Sequence, residues 1–425
     1  MTTDQRLRAA VHELVEAIPV PTVAPPVIPL TSRRSWRPVL VAAAVVVLLL
    51  AVGLVRLPAT PSAPAAGPDT LPRVFAGHSL LTATVSAAPA GPAIAIYRYG
   101  QGDMPFQTPQ LIAVGTDGRT YRVIDLARKR GRSADALAFA LLSPDGSRVA
   151  VADTLGPVQD VAIVDLTTGR TRGYPVPAGS AVQLLAWSPD SKRLAYAIAP
   201  YRADSNGDPR AALAADGELT LLDLATGVTS PVAGQRGVLD AAFSPDDRTL
   251  AVQVGAELRL LTAGGSTVVP LPDRHRLGGP AAWSPDGTRL ALFRVAAGSP
   301  SWAAGYWAPD GLAVLDLSTG VSTPLDTNAT GVLGWQGADL LATNYETIVS
   351  VPPTGPARVL ARLQPGNDHW IDTVQLATAR TGDLQVRETG VDRGPWPWWL
   401  WALAVGLLLL AGGVVRKVLR RQRAH

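Results

Sequence analysis

The side chains that most often carry chemistry are few in this chain and poorly spaced for it. There is no cysteine, which removes thiolate nucleophiles, thiolate metal sites and disulfides together. The five histidines, His12, His78, His275, His369 and His425, are scattered with no ligand spacing. No Gly-x-Ser-x-Gly elbow occurs, and that turn is what exposes a hydrolase serine to its base. One polar run, Asp204-Ser205-Asn206-Gly207-Asp208, sets the oxygen ligands Asp204, Asn206 and Asp208 at positions 1, 3 and 5 of a calcium-loop pattern. Pro209 stands where such a loop wants glycine, and no Glu follows at position 12, so a polar turn between strands is the plainer reading. Trp302, Tyr306, Trp307 and Trp335 fall in stretches that read as loops. They would either line a binding surface or pack one structural unit on the next. No catalytic residue and no cofactor is expected from these patterns.

The elements that must hold these residues repeat along the chain. Four segments align without gaps: ALLSPDGSRVAVA from Ala140, LAWSPDSKRLAYA from Leu185, AAFSPDDRTLAVQ from Ala241 and AAWSPDGTRLALF from Ala281. Their turns are Ser143-Pro144-Asp145, Ser188-Pro189-Asp190, Ser244-Pro245-Asp246 and Ser284-Pro285-Asp286. Proline presets φ and aspartate bonds the nearby backbone, so each segment reads as strand, turn and strand, with side chains alternating outward and inward. These serines are expected to be turn residues and not nucleophiles. A second signature follows within the same units: VAIVDLTTG from Val161, LTLLDLATG from Leu219 and LAVLDLSTG from Leu312, each an apolar strand with a Thr-Gly turn. Together they make a four-stranded blade of about 40–45 residues. LIAVGTDGRTYRVIDL from Leu111 reads as the outer hairpin of an earlier blade. Residues 331–363 read as a further blade with a decayed turn, and 371–389 as a candidate last one. The expected fold is all-β, a six- to seven-bladed β-propeller flanked by two transmembrane α-helices.

Ser-Pro-Asp-Gly followed by Arg-Leu-Ala, then an Asp-Leu-x-Thr-Gly hairpin, resembles the pattern of TolB-like propellers. These are relatives of WD-repeat proteins and of the propeller that precedes the hydrolase domain in prolyl-oligopeptidase-type dipeptidyl-peptidases. The resemblance covers about residues 75–390 and is strongest over 137–326. It implies a fold and not an activity, because propellers host unrelated functions. The hydrolase domain of the peptidases has no counterpart here, and a protein that is not an enzyme is the expectation.

Charge and hydropathy place the propeller. Net charge is +4. Five arginines against three acids give residues 1–37 a charge of +2, and residues 416–425 carry +5, which leaves −3 for the middle. Nucleic-acid binding by that middle is not expected. Pro38 to Val55 and Trp396 to Val415 are apolar runs of about the length that crosses a bilayer. Arg33, Arg34 and Arg37 precede the first run, and five cationic side chains follow the second. Trp396, Trp398, Trp399 and Trp401 open the second run as an aromatic belt. Both termini are therefore expected in the cytoplasm, with the propeller outside the plasma membrane. A cleaved signal peptide is the alternative for the first run, with Ala63-Pro64-Ala65 as a loose cleavage site. Its 37-residue leader and long apolar stretch favour an uncleaved anchor. The expected order is a cytoplasmic segment 1–37, a span 38–55, a linker 56–74, a propeller 75–390, a linker 391–395, a span 396–415 and a basic tail 416–425. The Ala-, Gly-, Val- and Arg-rich composition resembles that of high-GC, actinobacterial proteins.

Residues 2–18 place Leu7, Val11, Leu14, Val15 and Ile18 on one face of a short helix. A cytoplasmic helix on a single-pass arm resembles membrane regulators that sit beside extracytoplasmic-function sigma factors, without their His-Cys-Cys zinc pattern. Two function classes follow. One is a binding or scaffold module for an envelope protein, peptide or glycan. The other is a transmembrane regulator that couples ligand binding outside to a cytoplasmic partner of the N-terminal helix.

Overall fold

The computed structural model describes residues 68–100, 109–130, 139–152, 158–201, 209–296, 309–344, 346–363 and 371–396, with isolated positions between 400 and 416. The chain divides into two compact units. One is Pro58–Leu403, and the other is Met1–Leu57 with Ala404–His425. All the sheets lie in the first. The run 38–55 and the N-terminal segment with Leu7, Val11 and Leu14 fall outside the described residues. Of the run 396–415, only isolated positions are described. Among the described residues, no helix is long and apolar enough to cross a membrane.

The strands, in chain order, are β1 (Thr70–Pro72), β2 (Ala93–Tyr99), β3 (Gln110–Gly115), β4 (Tyr121–Val123), β5 (Phe139–Leu142), β6 (Arg148–Ala152), β7 (Val158–Asp165), β8 (Thr171–Trp187) and β9 (Arg193–Pro200). Next come β10 (Glu218–Asp223), β11 (Thr229–Arg236), β12 (Val238–Phe243), β13 (Leu250–Val254), β14 (Glu257–Thr262), β15 (Gly265–Val269), β16 (His275–Leu277) and β17 (Arg289–Val295). The last are β18 (Pro309–Asp316), β19 (Ser322–Pro324), β20 (Gly331–Gln336), β21 (Asp339–Thr343), β22 (Thr347–Val351), β23 (Arg358–Arg362), β24 (Ile371–Leu376) and β25 (Gln385–Arg387). Two short α-helices, α1 (Asp125–Arg130) and α2 (Pro209–Asp216), and one 3-10 turn, Thr378–Arg380, accompany them among the described residues.

Three four-stranded antiparallel meanders use consecutive strands: β12 to β15, β16 to β19 and β20 to β23. A seven-stranded sheet runs from β5 to β11. Its middle strand, β8, pairs with β7 over Thr171–Pro175 and with β9 over Ser180–Trp187. One long strand thus ends one four-stranded meander and begins the next. The remaining sheet has the order β24-β2-β3-β4. Ile371–Leu376 pairs with Ala93–Tyr99, so a late strand completes a sheet begun early in the chain. Residues 371–389 therefore do not form a blade of their own, as the sequence pattern had suggested. The expected hairpin from Leu111 is present as β3 and β4.

Inner strands such as β2 and β6 do not show an outward–inward alternation. Val149, Ala150, Val151 and Ala152 of β6 are all buried, as are five successive residues of β2. The physical reason is that each sheet is covered on both faces by its neighbours, so both faces are apolar, and small alanines let the sheets approach. Four core clusters draw residues from successive sheets, and a fifth lies between the two halves of the seven-stranded sheet. The sheets follow one another round a closed, propeller-like ring. Outside the ring, β1 pairs in parallel with β25. Ala83 and Tyr121 donate to the carbonyls of Arg393 and Asp392, which ties both arms of the unit to its first sheet.

Candidate functional site

Each Ser-Pro-Asp turn is built around a buried hydroxyl. Ser143, Ser188, Ser244 and Ser284 are 0–3% exposed. Their Oγ atoms donate to Asp145, Asp190, Asp246 and Asp286 at 2.6–2.7 Å. The same oxygens accept the N–H groups of Arg148, Arg193, Thr249 and Arg289 at 2.8–2.9 Å. Each aspartate also takes the N–H of the residue two further on. The serine hydroxyls are therefore fully engaged in turn closure, and none faces a histidine. The hydrogen bond from Ser284 is the largest influence on Asp286 and, with the Thr288 N–H, brings its pKa down to about 2 against partial burial. At Asp145 burial pushes upward, but bonds from Ser143, Ser147 and Ser191 outweigh it and leave the carboxyl below its usual range.

The fourth turn position has φ near +60 to +70° in every copy: Gly146, Ser191, Asp247 and Gly287. Glycine takes that conformation freely, and other residues do so at a cost. The two non-glycine copies use their extra atoms. Ser191 Oγ accepts from the Asp145 N–H at 3.2 Å, and the Asp247 carboxylate pairs with Arg193. Arg148 donates to the Ser191 carbonyl at 2.9 Å. The first turn is thereby linked to the second, and the second to the third.

A second set of links runs through the residue just before the turn. Trp187 Nε1 donates to the Leu141 carbonyl, Trp283 Nε1 to Ala242 and Trp335 Nε1 to Ala282, at 2.9–3.1 Å. Each indole thus bonds the preceding strand end one position further back. Gln375 closes the ring: it donates to the Ala140 carbonyl and accepts the Leu142 N–H. Sequence reasoning read Trp187 and Trp283 only as members of the repeat and Trp335 as a loop residue; the missed signal was their recurrence one place before the turn.

The turns and strand ends enclose an axial cavity of about 390 Å³. Leu142, Trp187, Phe243, Trp283, Trp335 and Leu376 bring one wall residue from each stretch of the ring, and the prolines of all four turns line it too. Among the described residues, no Asp, Glu, Lys, Arg or His belongs to the wall; its polar side chains there are Gln375, Thr378 and Thr381. Thr381 Oγ1 donates to the Trp335 carbonyl at 2.6 Å. The segment Thr378–Gly382, which follows β24, forms one side of the cavity. Arg380, within it, bonds the Asp145 carbonyl at 2.6 Å and pairs with Asp69 at 3.0 Å.

Of the expected site residues, Trp335 lies in strand β20 and not in a loop; it is buried and lines this cavity. Trp302, Tyr306 and Trp307 fall outside the described residues, as do the calcium candidates Asp204, Asn206 and Asp208. Among the described residues no cluster of three potential metal ligands occurs. Away from the cavity, burial is the main cause that lowers the His78 pKa to about 4, with Arg393 and Arg128 adding to it. A buried ion pair joins Arg276 to Asp240 at 2.9 Å between adjacent sheets.

No family model matches the chain, and no curated protein does. Solved structures with β-propeller folds do. TolB from Acinetobacter baumannii is 17% identical with a TM-score of 0.40, and the match covers 62% of this chain and 65% of that one. An oligogalacturonate lyase in complex with manganese is 16% identical with a TM-score of 0.44, over 68% of this chain and 78% of that one. The β-propeller domain of the Trilobed protease from Pyrococcus furiosus is 12% identical with a TM-score of 0.39, over 64% and 83%. The chain spans about 65% of the length of the TolB structure it matches. At these identities the likeness concerns the fold alone.

Proposed function

We propose that the chain is a membrane-anchored, extracytoplasmic propeller that binds an envelope partner at its axial cavity and performs no reaction. Counting β8 as shared between two blades gives six blades; five open on a strand that contributes to the cavity wall, and in the β16–β19 blade the segment after β16 does so. The observation that carries the binding reading is the character of that wall. Among the described residues it joins tryptophan faces and turn prolines with three neutral polar side chains and holds no ionisable group to shuttle a proton. Such a surface suits an uncharged apolar group of a protein, peptide or glycan, gripped by shape and apolar contact. The anchoring rests on the two apolar runs and their one-sided basic flanks.

The test is photo-crosslinking in the living cell. A benzophenone amino acid at Ala281 or at Ala379, both in the cavity wall, should capture the same partner, and one at the exposed Val268 should not. Filling the cavity with Ala281→Phe should abolish capture from position 379. Equal capture from all three positions, or capture indifferent to the filled cavity, would remove the cavity from the account.

One observation favours the regulator as a second reading. The wall segment Thr378–Gly382 leads directly into β25 and the C-terminal arm, and Arg380 pairs with Asp69 on the N-terminal arm. Occupancy of the cavity would thus bear on both arms. If that reading is right, replacing Leu7, Val11 and Leu14 with Ser should cost a cytoplasmic partner without altering membrane insertion.

A further inference from the structure

Exposed large apolar side chains of the folded unit are mostly single valines on outer strands and turns, such as Val228, Val268, Val321 and Val359. Leu80 and Leu81 break that pattern. They are 60% and 37% exposed and adjacent. Among the described residues, the only other exposed leucines are Leu403, Leu407 and Leu410 of the apolar run 396–415. The pair occupies the tip of a turn closed by the Thr82 N–H on the Ser79 carbonyl at 2.8 Å, with the Leu81 N–H on Ser79 Oγ at 3.2 Å. Exposing two leucines at such a tip is unfavourable in water, since each leaves a large apolar area hydrated.

The position of the tip supplies the occupant. Arg393 Nη1 donates to Thr82 Oγ1 at 2.9 Å, and the Ala83 N–H bonds the Arg393 carbonyl at 2.8 Å. The leucine turn is therefore fastened to the C-terminal arm three residues before Trp396, which is itself 62% exposed. Three residues reach at most about 10 Å. Gly394 holds the arm close: at φ +79° a Cβ there would stand 2.9 Å from the Ala83 Cβ. Val391, 47% exposed, lies on the same arm. The tip thus sits beside the point where the apolar run begins.

We propose that the Ser79–Thr82 turn is a membrane-contact element: Leu80 and Leu81 enter the outer leaflet of the bilayer that takes up the chain's own C-terminal apolar run. The inference rests on the membrane reading above and adds a second point of contact, which would fix how the propeller stands on the surface. Two leucines at a polar–apolar boundary, beside an arginine and a tryptophan, match the composition of interfacial anchors.

The cysteine-free chain allows single labels without background. Leu80→Cys, Leu81→Cys, Val391→Cys and the control Val268→Cys are each nitroxide-labelled in the full chain and reconstituted into phosphatidylcholine–phosphatidylglycerol vesicles. Collision with oxygen, which concentrates in lipid, is compared with collision with a water-soluble nickel chelate. At 80 and 81 oxygen should prevail severalfold over the ratio at 268, with 391 intermediate. Because 391 reports the same surface, a labelled turn that perturbs folding does not decide the outcome. Ratios at 80, 81 and 391 equal to that at 268 overturn the inference while leaving the anchor intact. Labels at 80 and 81 shielded from both reagents point to a protein partner and also overturn it. A chain that fails to co-float with vesicles overturns the membrane reading and this inference together.

Discussion

Ser188→Ala removes one hydroxyl from the second Ser-Pro-Asp turn, and the structure fixes what that should cost. The side chain is fully buried. Its oxygen donates to Asp190 at 2.7 Å and accepts the Arg193 N–H at 2.8 Å. Alanine fits the space but leaves the Arg193 N–H without this acceptor, which costs about 1–3 kcal/mol for a buried donor. The Asp190 side chain is 44% exposed, so water replaces most of what the carboxylate loses, and the total should be about 2–3 kcal/mol. Asp190→Ala deletes a partly exposed acceptor and should cost only about 1 kcal/mol. Because the two side chains share a bond, the double variant should fall short of the sum. At about 2 °C per kcal/mol for a unit of this size, melting should drop by about 4–6 °C for Ser188→Ala and about 2 °C for Asp190→Ala. Calorimetry on the three variants is the assay. A Ser188→Ala melt indistinguishable from wild type, or an aspartate variant that costs more than the serine variant, would refute the assignment of the hydroxyl as the hub of the turn.

Glycines at equivalent turn positions should differ sharply. Gly146→Ala places a methyl against the Ala93 carbonyl oxygen at φ +73°, and Gly287→Ala meets nothing closer than 3.9 Å at φ +69°. The second should cost about 1 kcal/mol from backbone strain alone, and the first several times more; equal melting temperatures would contradict the packing of the turn on β2. His78 has a folded pKa of about 4, below its ordinary 6.5, so the unfolded chain binds the proton first. Stability is then present above about pH 6.5 and lost as pH falls toward 4, by up to about 3 kcal/mol. His78→Phe should flatten that stretch of the melting profile, and an unchanged profile would rule out His78 as its source. The turn carboxylates act lower. Asp286 titrates near 2 when folded, and Asp145, Asp190, Asp246, Asp165, Asp223 and Asp316 are also held below their usual range. Their stabilisation is present above the ordinary carboxylate range and lost as pH falls below it, at Asp286 between about 4 and 2, so acid melts should steepen there and Asp286→Asn should soften the slope.

The repeat was legible because each turn carries its mechanism in adjacent residues. Ser188, Asp190 and Arg193 make all their defining bonds within five positions, and Asp316 with Ser318 and Thr319 does the same at the second turn. Closure was not legible. β24 pairs with β2 across more than 270 residues, and nothing local in Ile371–Leu376 marks it as the missing strand of an early sheet. The strand β8 was hidden for a related reason: nothing local in Thr171–Trp187 marks that the chain runs on from one meander into the next. The cavity wall was visible only in fragments. The turn prolines were singled out for presetting φ, and Trp335 for its size. Their convergence depends on the ring, which no single repeat encodes. Gln375, Thr378 and Thr381 gave no signal at all, because neutral polar residues in a short connecting segment look like any loop.

Every functional reading offered above requires the propeller to stand outside the cytoplasm with both ends of the chain inside. Paired reporter fusions test that requirement most directly. A reporter active only in the cytoplasm, joined after His425, should be active, and the same reporter inserted at the exposed irregularity of β11 near Gly234 should be silent. A reporter active only outside should give the opposite pattern at the two positions. Cytoplasmic activity at Gly234 would place the propeller inside the cell and contradict the anchored binding module, whatever the cavity holds.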